Sequence, residues 1–253
     1  MTATSLAGWA LIAMAPVIGS FLGVVIRRLP DQRPIVHGRS RCEACGAALA
    51  PRDLVPLASW LATRGRCRHC GARLGGFYPA VELAALALAA VALAVDSGAA
   101  AWLDWGFGCW LLALGWIDLR RFLLPNVLTL PLVVAGLAAA WLWAPGDLVD
   151  RLLGAAGGYL LLWAVGAVYW RLRGREGLGL GDAKLFAACG AWVGASGLPS
   201  VLFGAALAAL VAAAVMGLAG RRLDRYSALP FGPFLALAAW LVWLFGPLPP
   251  GGL

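Results

Sequence analysis

Residues 6–26 read LAGWALIAMAPVIGSFLGVVI, an uninterrupted apolar run that ends at Arg27 and Arg28. A helix needs roughly 20 apolar residues to cross the hydrocarbon core of a bilayer, and this run supplies them. No basic residue precedes the run, so its charge order is the reverse of that in a cleavable signal peptide. We therefore predict that this segment stays in the membrane as an anchor.

Further apolar runs follow the first, and together they predict an all-α polytopic membrane protein with about eight transmembrane helices. The runs lack the two-residue alternation of barrel strands, and only helices or closed barrels satisfy the backbone in lipid. Composition agrees, because 62% of the residues are apolar and 13% are charged, against ~45–50% and ~25% in soluble domains. The predicted spans are residues 6–26, 79–95, 99–117, 123–144, 150–170, 183–196, 199–219 and 229–247.

The basic residues predict the side on which each loop lies. Lys and Arg in short loops mark the cytoplasmic side of a membrane. If both termini lie in the periplasm, 19 of the 20 basic residues fall on the cytoplasmic side, and Arg151 alone lies on the periplasmic side. Adding or removing one helix midway would scatter this pattern, so the charge distribution supports an even number of spans.

Residues 27–78 form the one long polar segment, and it contains two CxxC motifs separated by residues 46–66. Each motif is followed by a glycine, which suits the tight turn that aims backbone amides at a thiolate. This spacing predicts a structural four-thiolate zinc site. Two disulfides and a metal-free site are the alternatives, and disulfides rarely persist in a reducing cytoplasm. The candidate ligands are Cys42, Cys45, Cys67 and Cys70.

The motifs and spans together predict three domains: a first transmembrane helix (1–26), a cytoplasmic zinc-binding domain (27–78) and a membrane domain (79–253). The polar segment has ten arginines against three acids. Such a basic face is expected to contact anionic lipid headgroups. Nucleic-acid binding is the competing interpretation. We do not expect it, because the segment is short, is tethered to the bilayer and has few aromatic residues for base stacking.

Two aspartates adjoin apolar runs in which a carboxylate is costly. Asp118 ends one run, and Asp182 opens another after the glycine-rich stretch 177–181. One interpretation pairs each aspartate with a neighbouring cation, such as Lys184, as a helix-capping or topogenic group. The other brings the two carboxylates together, where like charges cannot both ionise easily and one proton is shared. That second arrangement is the chemistry of an aspartic protease, in which an ionised acid activates water and a protonated acid polarises the carbonyl.

Several motifs resemble those of the type IV prepilin peptidase family, the membrane aspartic proteases with a GxGD motif. The resemblance runs nearly from end to end, and the motifs are specific as a set. The matching segments are 19–22, 24–30, 39–42, 64–68, 78–83, 117–118, 124–126, 179–185 and 230–234. Three places depart from the usual pattern: Gly23, where Asn is usual, Glu43, where Pro is usual, and Gly76-Phe77, where a basic residue usually precedes the Tyr-Pro pair.

The resemblance implies that Asp118 and Asp182 are the catalytic pair of a multi-pass enzyme of the bacterial inner membrane. It implies a prepilin or pseudopilin substrate, whose short basic leader is cut on the cytoplasmic side just before a hydrophobic helix. Many members then methylate the new amino terminus, which makes S-adenosylmethionine a second candidate cofactor beside zinc. The alternatives are a GxGD peptidase without methyltransferase activity and, less favoured, an ion-coupled transporter that uses the same two aspartates. Acids that would attract a basic leader are Glu43, Glu82 and Glu176, with lipid headgroups as the other candidate.

Overall fold

The computed structural model describes residues 3–36, 40–175, 177–220 and 229–248. Within these ranges the chain is helical, and its extended pairing is limited to two single bridges, Arg41 with Ala48 and Arg66 with Arg73. The predicted all-α class is confirmed. The helices in these ranges are α1 (Ala3–Arg28), α2 (Ala58–Ala62), α3 (Phe77–Val95), α4 (Ala99–Arg121), α5 (Asn126–Trp143), α6 (Leu148–Arg173), α7 (Leu180–Leu218) and α8 (Gly232–Phe245).

Among the described residues, six helices are long and apolar enough to cross a membrane, namely α1 and α3 to α7. Helix α7 has 39 residues and is interrupted at Gly194, whose φ of 77° and ψ of 171° are not helical. A helix of that length would extend to ~58 Å, about twice the hydrocarbon thickness. The two segments of α7 therefore correspond to the predicted spans 183–196 and 199–219. The 14-residue α8 corresponds to the predicted span 229–247.

The break in α7 lies at Gly194, a few positions before the gap that the apolar pattern suggested at 197–198. A positive φ is accessible to glycine without steric cost, which explains why the interruption falls there. Hydropathy could not locate it, because residues on both sides of Gly194 are apolar. The chain thus turns within an apolar run and needs no polar loop to do so.

The first compact unit covers residues 1–109. Helix α1 packs along α3, and their buried contact residues are mostly alanines and leucines, among them Leu11, Ala15, Ala85 and Ala89. A close approach occurs at Gly19, where a Cβ atom would lie 2.7 Å from the Cα of Glu82. Small residues permit such approach between membrane helices, which have no hydrophobic driving force between them in lipid.

The second compact unit covers residues 110–253, and the first segment of α7 is its most buried element. Helix α7 packs against α5, α6 and α8. Backbones meet at Gly154 of α6 and Gly190 of α7, because a Cβ added at Gly190 would lie 2.2 Å from the Gly154 carbonyl oxygen. The boundary between the two compact units falls inside α4 and reflects how the chain packs. The three predicted domains, with boundaries at residues 26 and 78, were drawn from the chemical character of the segments and stay a prediction.

Candidate active site and metal centre

Asp118 lies in the last turn of α4 and is only 5% exposed. Its Oδ2 accepts a hydrogen bond from the backbone N–H of Gly232, at 2.9 Å between nitrogen and oxygen. Gly232 is the first residue of α8, so the carboxylate faces the positive end of that helix. The contact joins residues 114 positions apart in sequence.

Asp182 is the third residue of α7 and is half-buried. The backbone N–H of Gly179, the residue that precedes the helix, donates to its carboxylate. This is the side-chain half of a capping box, in which an acid in the first turn satisfies a free amide at the helix start. Gly179 has extended backbone angles, with φ −74° and ψ 147°, and so the glycine-rich stretch leads into α7 as an extended chain.

The structure brings the two aspartates near each other, close enough for the charge of Asp118 to act on Asp182. Lys184, which could have neutralised Asp182, instead donates from Nζ to Oδ1 of Asn126 at 2.9 Å. The structure therefore does not pair Lys184 with Asp182. Each carboxylate instead accepts a hydrogen bond from a backbone amide at the start of a helix.

A cavity of about 380 Å³ lies beside the glycine-rich stretch. Its walls come from the last turns of α6, including Trp163, Gly166 and Trp170, and from Gly179 and Ala183 on either side of Asp182. Both tryptophans are about half exposed, so the cavity opens at the apolar outer surface of α6. A substrate segment next to Asp182 would have room there for an apolar side chain.

The four cysteines of the two CxxC motifs come together as the spacing predicts, with all four Sγ atoms within 4.8 Å of one another. The Sγ atoms of Cys42 and Cys70 are 3.9 Å apart, close to the ~3.8 Å edge of a tetrahedron with Zn–S bonds of ~2.3 Å. None of the four is in a disulfide, and the two CxxC motifs have the same local geometry. In each motif the following glycine, Gly46 or Gly71, has a φ of 71° and donates to the first cysteine's carbonyl oxygen at 2.9 Å.

The thiols differ in pKa because of their surroundings. Backbone N–H groups of Cys45 and Ala44 lower the pKa of Cys42 to about 7. The pKa of Cys70 rises to about 11, because the neighbouring thiols and desolvation outweigh the lowering effect of the Ala72 amide. Four sulfur donors this close together fit a metal ion, whose positive charge would stabilise them as thiolates.

Side chains tie the first knuckle to the ends of two helices. Arg27 at the end of α1 forms an ion pair with Glu43, between the first two cysteines. The Arg27 guanidinium also lies over the rings of Phe77 and Tyr78, at 4.8 and 5.1 Å from their centroids. Gly23 faces Tyr78, because a Cβ atom at Gly23 would lie 2.7 Å from the tyrosine ring. The ring of Tyr78 therefore occupies the space that a side chain at position 23 would need.

Of the acids considered for leader recognition, Glu82 is buried, and its Oε2 accepts from the backbone N–H of Leu57 at 2.8 Å. Glu43 is engaged by Arg27. Glu176 lies outside the described residues, as do both chain ends, residues 1–2 and 249–253. Glu82 therefore has a structural role and is not exposed to a leader peptide. Sequence reasoning also missed the contact of Gly232 with Asp118, although Pro230 and Pro233 flanking that glycine signalled a helix start.

Comparison with known proteins gives two matching family descriptions. Residues 13–95 match the "Bacterial Peptidase A24 N-terminal domain". Residues 105–214 match the "Type IV leader peptidase family", a range that includes both aspartates. No solved structure is significantly similar to this chain.

Curated relatives resemble the chain along most of its length. A protein of Burkholderia pseudomallei (strain 1026b) is 42% identical, with 93% of this chain and 84% of the relative covered. A protein of Aeromonas hydrophila is 41% identical, covering 91% and 88%, and one of Pseudomonas aeruginosa is 36% identical, covering 93% and 89%. Each of these relatives is named prepilin leader peptidase/N-methyltransferase. The chain, a multi-pass protein of the inner membrane with four cysteines placed to bind a metal, therefore belongs to the type IV leader peptidase family.

Proposed function

We propose that this chain is a membrane aspartic endopeptidase that removes the short leader of a prepilin or pseudopilin on the cytoplasmic side. The observation that carries the proposal is the approach of Asp118 and Asp182 from separate helices, each carboxylate held by a backbone N–H. The printed names of the relatives support the substrate class. Asp118 and Asp182 are the proposed catalytic residues.

The proposed chemistry uses one proton shared by the pair. The ionised carboxylate takes a proton from a water molecule while the water oxygen attacks the scissile carbonyl carbon. The protonated carboxyl group gives its proton to the carbonyl oxygen, which yields a tetrahedral diol. When the C–N bond breaks, the leaving amine nitrogen takes a proton from the pair and a diol hydroxyl returns one to the ionised carboxylate. The second product is the carboxylic acid of the leader, and the pair again holds one proton.

Backbone donors suit this chemistry because they position each carboxylate without adding a charge to the site. Gly232 donates to Oδ2 of Asp118, which leaves Oδ1 for the partner or a water. The cavity beside Asp182 would accept an apolar side chain from the hydrophobic segment of the substrate. Proximity then assists catalysis, because the substrate helix stays in the bilayer and keeps the scissile bond near the aspartates.

Leader recognition is proposed to rely on anionic lipid headgroups. Glu43 is paired with Arg27, and Glu82 is buried and hydrogen-bonded to Leu57. Glu82 is therefore closed to a basic leader, and the charge of the exposed Glu43 is already offset by Arg27. The arginine-rich segment and the leader would both bind the same negatively charged membrane surface.

A structural zinc ion is proposed at Cys42, Cys45, Cys67 and Cys70. The close approach of the four Sγ atoms supports it. When bound, zinc would cross-link the two knuckles and stabilise a segment that has few buried apolar residues. No step of peptide cleavage is assigned to it.

Methylation of the new amino terminus with S-adenosylmethionine is proposed as a second activity. The support is the full name carried by the relatives. The rival within the family is a peptidase that cleaves without methylating. Mass spectrometry of the processed substrate separates the two, because methylation adds a fixed mass to the amino terminus.

The test of the peptidase proposal uses purified full-length protein in detergent with a prepilin from the same genome. Asp118→Asn and Asp182→Asn should each abolish cleavage without loss of folded protein, because an asparagine amide can neither accept the proton of the attacking water nor donate one to the carbonyl oxygen. Asp96→Asn is the matched control, since Asp96 lies just beyond α3, away from either aspartate in sequence, and should cut like the wild type.

Cleavage by both variants at the wild-type rate would reject the proposal. If wild-type protein cut no prepilin but moved protons or ions in vesicles in an Asp118-dependent manner, the transporter alternative would replace it. Intramembrane acids serve both kinds of protein, so this second measurement is informative whichever result the first gives.

A further inference from the structure

The start of α8 makes two close contacts with α4, one turn apart. A Cβ atom at Gly115 would lie 3.3 Å from the Cα of Pro233. A Cβ atom at Gly232 would lie 2.7 Å from Oδ2 and 3.0 Å from Cγ of Asp118. The first contact involves helix packing alone, whereas the second involves the carboxylate itself.

We propose that Gly232 is a positioning residue for Asp118, and that its missing side chain and its N–H together set where the carboxylate stands. The inference rests on the proposed function, in which Asp118 is catalytic. The N–H donates to Oδ2 at 2.9 Å, and the bare Cα leaves the space that the carboxylate fills.

Glycine is required here for space and not for backbone conformation. Gly232 lies in the first turn of a helix and has no positive φ, so alanine fits the local backbone. An added methyl group would still come within 2.7 Å of Oδ2, a distance that real Cβ atoms do not keep. The carboxylate or the start of α8 must therefore move, and both positions are buried.

The kinetic test compares Gly232→Ala with Gly115→Ala in the full-length protein, using a prepilin substrate in detergent. Gly232→Ala should lower kcat about 100-fold, the scale expected for displacing a catalytic group by ~1 Å, and should leave KM unchanged. Gly115→Ala disturbs the same pair of helices without meeting the carboxylate and should keep kcat near the wild-type value. A wild-type kcat in Gly232→Ala would overturn the proposal, as would equal losses in the two variants.

A second measurement does not depend on cleavage, so it separates failure of this inference from failure of the proposed function. The thermal midpoint Tm is measured for Gly232→Ala and Gly115→Ala, each in wild-type and Asp118→Ala backgrounds. Replacing Asp118 by Ala removes the two nearest carboxylate atoms. Gly232→Ala should then lower Tm much less than it does in the wild type, whereas the effect of Gly115→Ala should be the same in both backgrounds.

An equal drop in Tm for Gly232→Ala in both backgrounds would reject the contact with the carboxylate. If Gly232→Ala fails to fold in the wild type but folds with Asp118→Ala, the proposal is supported. Failure to fold in both backgrounds would reject it, because the glycine would then serve the backbone of α8 alone.

Discussion

Each of the two aspartates accepts a hydrogen bond from a backbone amide at the start of a helix. Gly232 serves Asp118, and Gly179 serves Asp182. An amide donor carries no net charge, so it orients a carboxylate without forming an ion pair that would hold the acid permanently ionised. This arrangement suits a pair that exchanges one proton during each turnover.

At the cysteine cluster we predict that Cys42→Ser and Cys67→Ser each abolish stoichiometric zinc binding and lower Tm. Both residues are 4% exposed, and a serine hydroxyl is a much poorer zinc ligand than a thiolate. The measurement is metal analysis of purified protein, combined with thermal unfolding. Cys109→Ala is the control, because Cys109 is a buried thiol of α4 outside the cluster. Full zinc content in the two serine variants would contradict the prediction.

At the scale of helices, the contact of α6 with α7 depends on glycines that let two backbones meet. Gly154 and Gly158 of α6 face the first segment of α7, and neither leaves space for a Cβ atom. Such contacts also allow carbonyl oxygens and Cα–H groups to approach, which adds weak attraction between helices in lipid. They hold the helix that carries Asp182.

We predict that Gly154→Ala destabilises the protein, whereas Gly157→Ala does not. A Cβ atom at Gly154 would lie 2.6 Å from the Gly190 carbonyl oxygen, and one at Gly157 would meet nothing within 4 Å. Overpacking costs about 1–3 kcal/mol, more than the gain of up to ~1 kcal/mol in helix propensity from alanine. Thermal unfolding in detergent measures both effects. Equal Tm values for the two variants would contradict the prediction and show that Gly154 does not contact Gly190 as closely as in the structure.

At the scale of the whole molecule, the proposed orientation can be tested with reporter fusions. We predict that alkaline phosphatase is active when fused after Asp96 or Gly146, in loops proposed to be periplasmic, and inactive after Arg121 or Arg173. A cytoplasmically active fluorescent protein fused at the same four points should give the opposite pattern. Phosphatase activity after Arg121 would reverse the orientation and remove the proposed cytoplasmic active site.

Several parts of the fold were predictable because they depend on local chemistry. The eight apolar runs predicted the helical spans, since lipid forces every backbone group to be satisfied within its own helix. The spacing of Cys42, Cys45, Cys67 and Cys70 predicted their cluster, because each CxxC knuckle is a short local turn. The break in α7 was predicted at 197–198, although it lies at Gly194, because a conformational change inside an apolar run does not alter the hydropathy pattern.

The sequence by itself determined the all-α membrane class, the apolar helical runs and the cysteine cluster, and its motifs singled out the two aspartates. Each of these follows from residue type and short spacing. Only the tertiary structure decided that Gly232 holds Asp118, that Lys184 serves Asn126 rather than Asp182, and that Glu82 is buried. Those contacts join distant parts of the chain, and their geometry depends on how closely helices pack, which no local pattern of residues specifies.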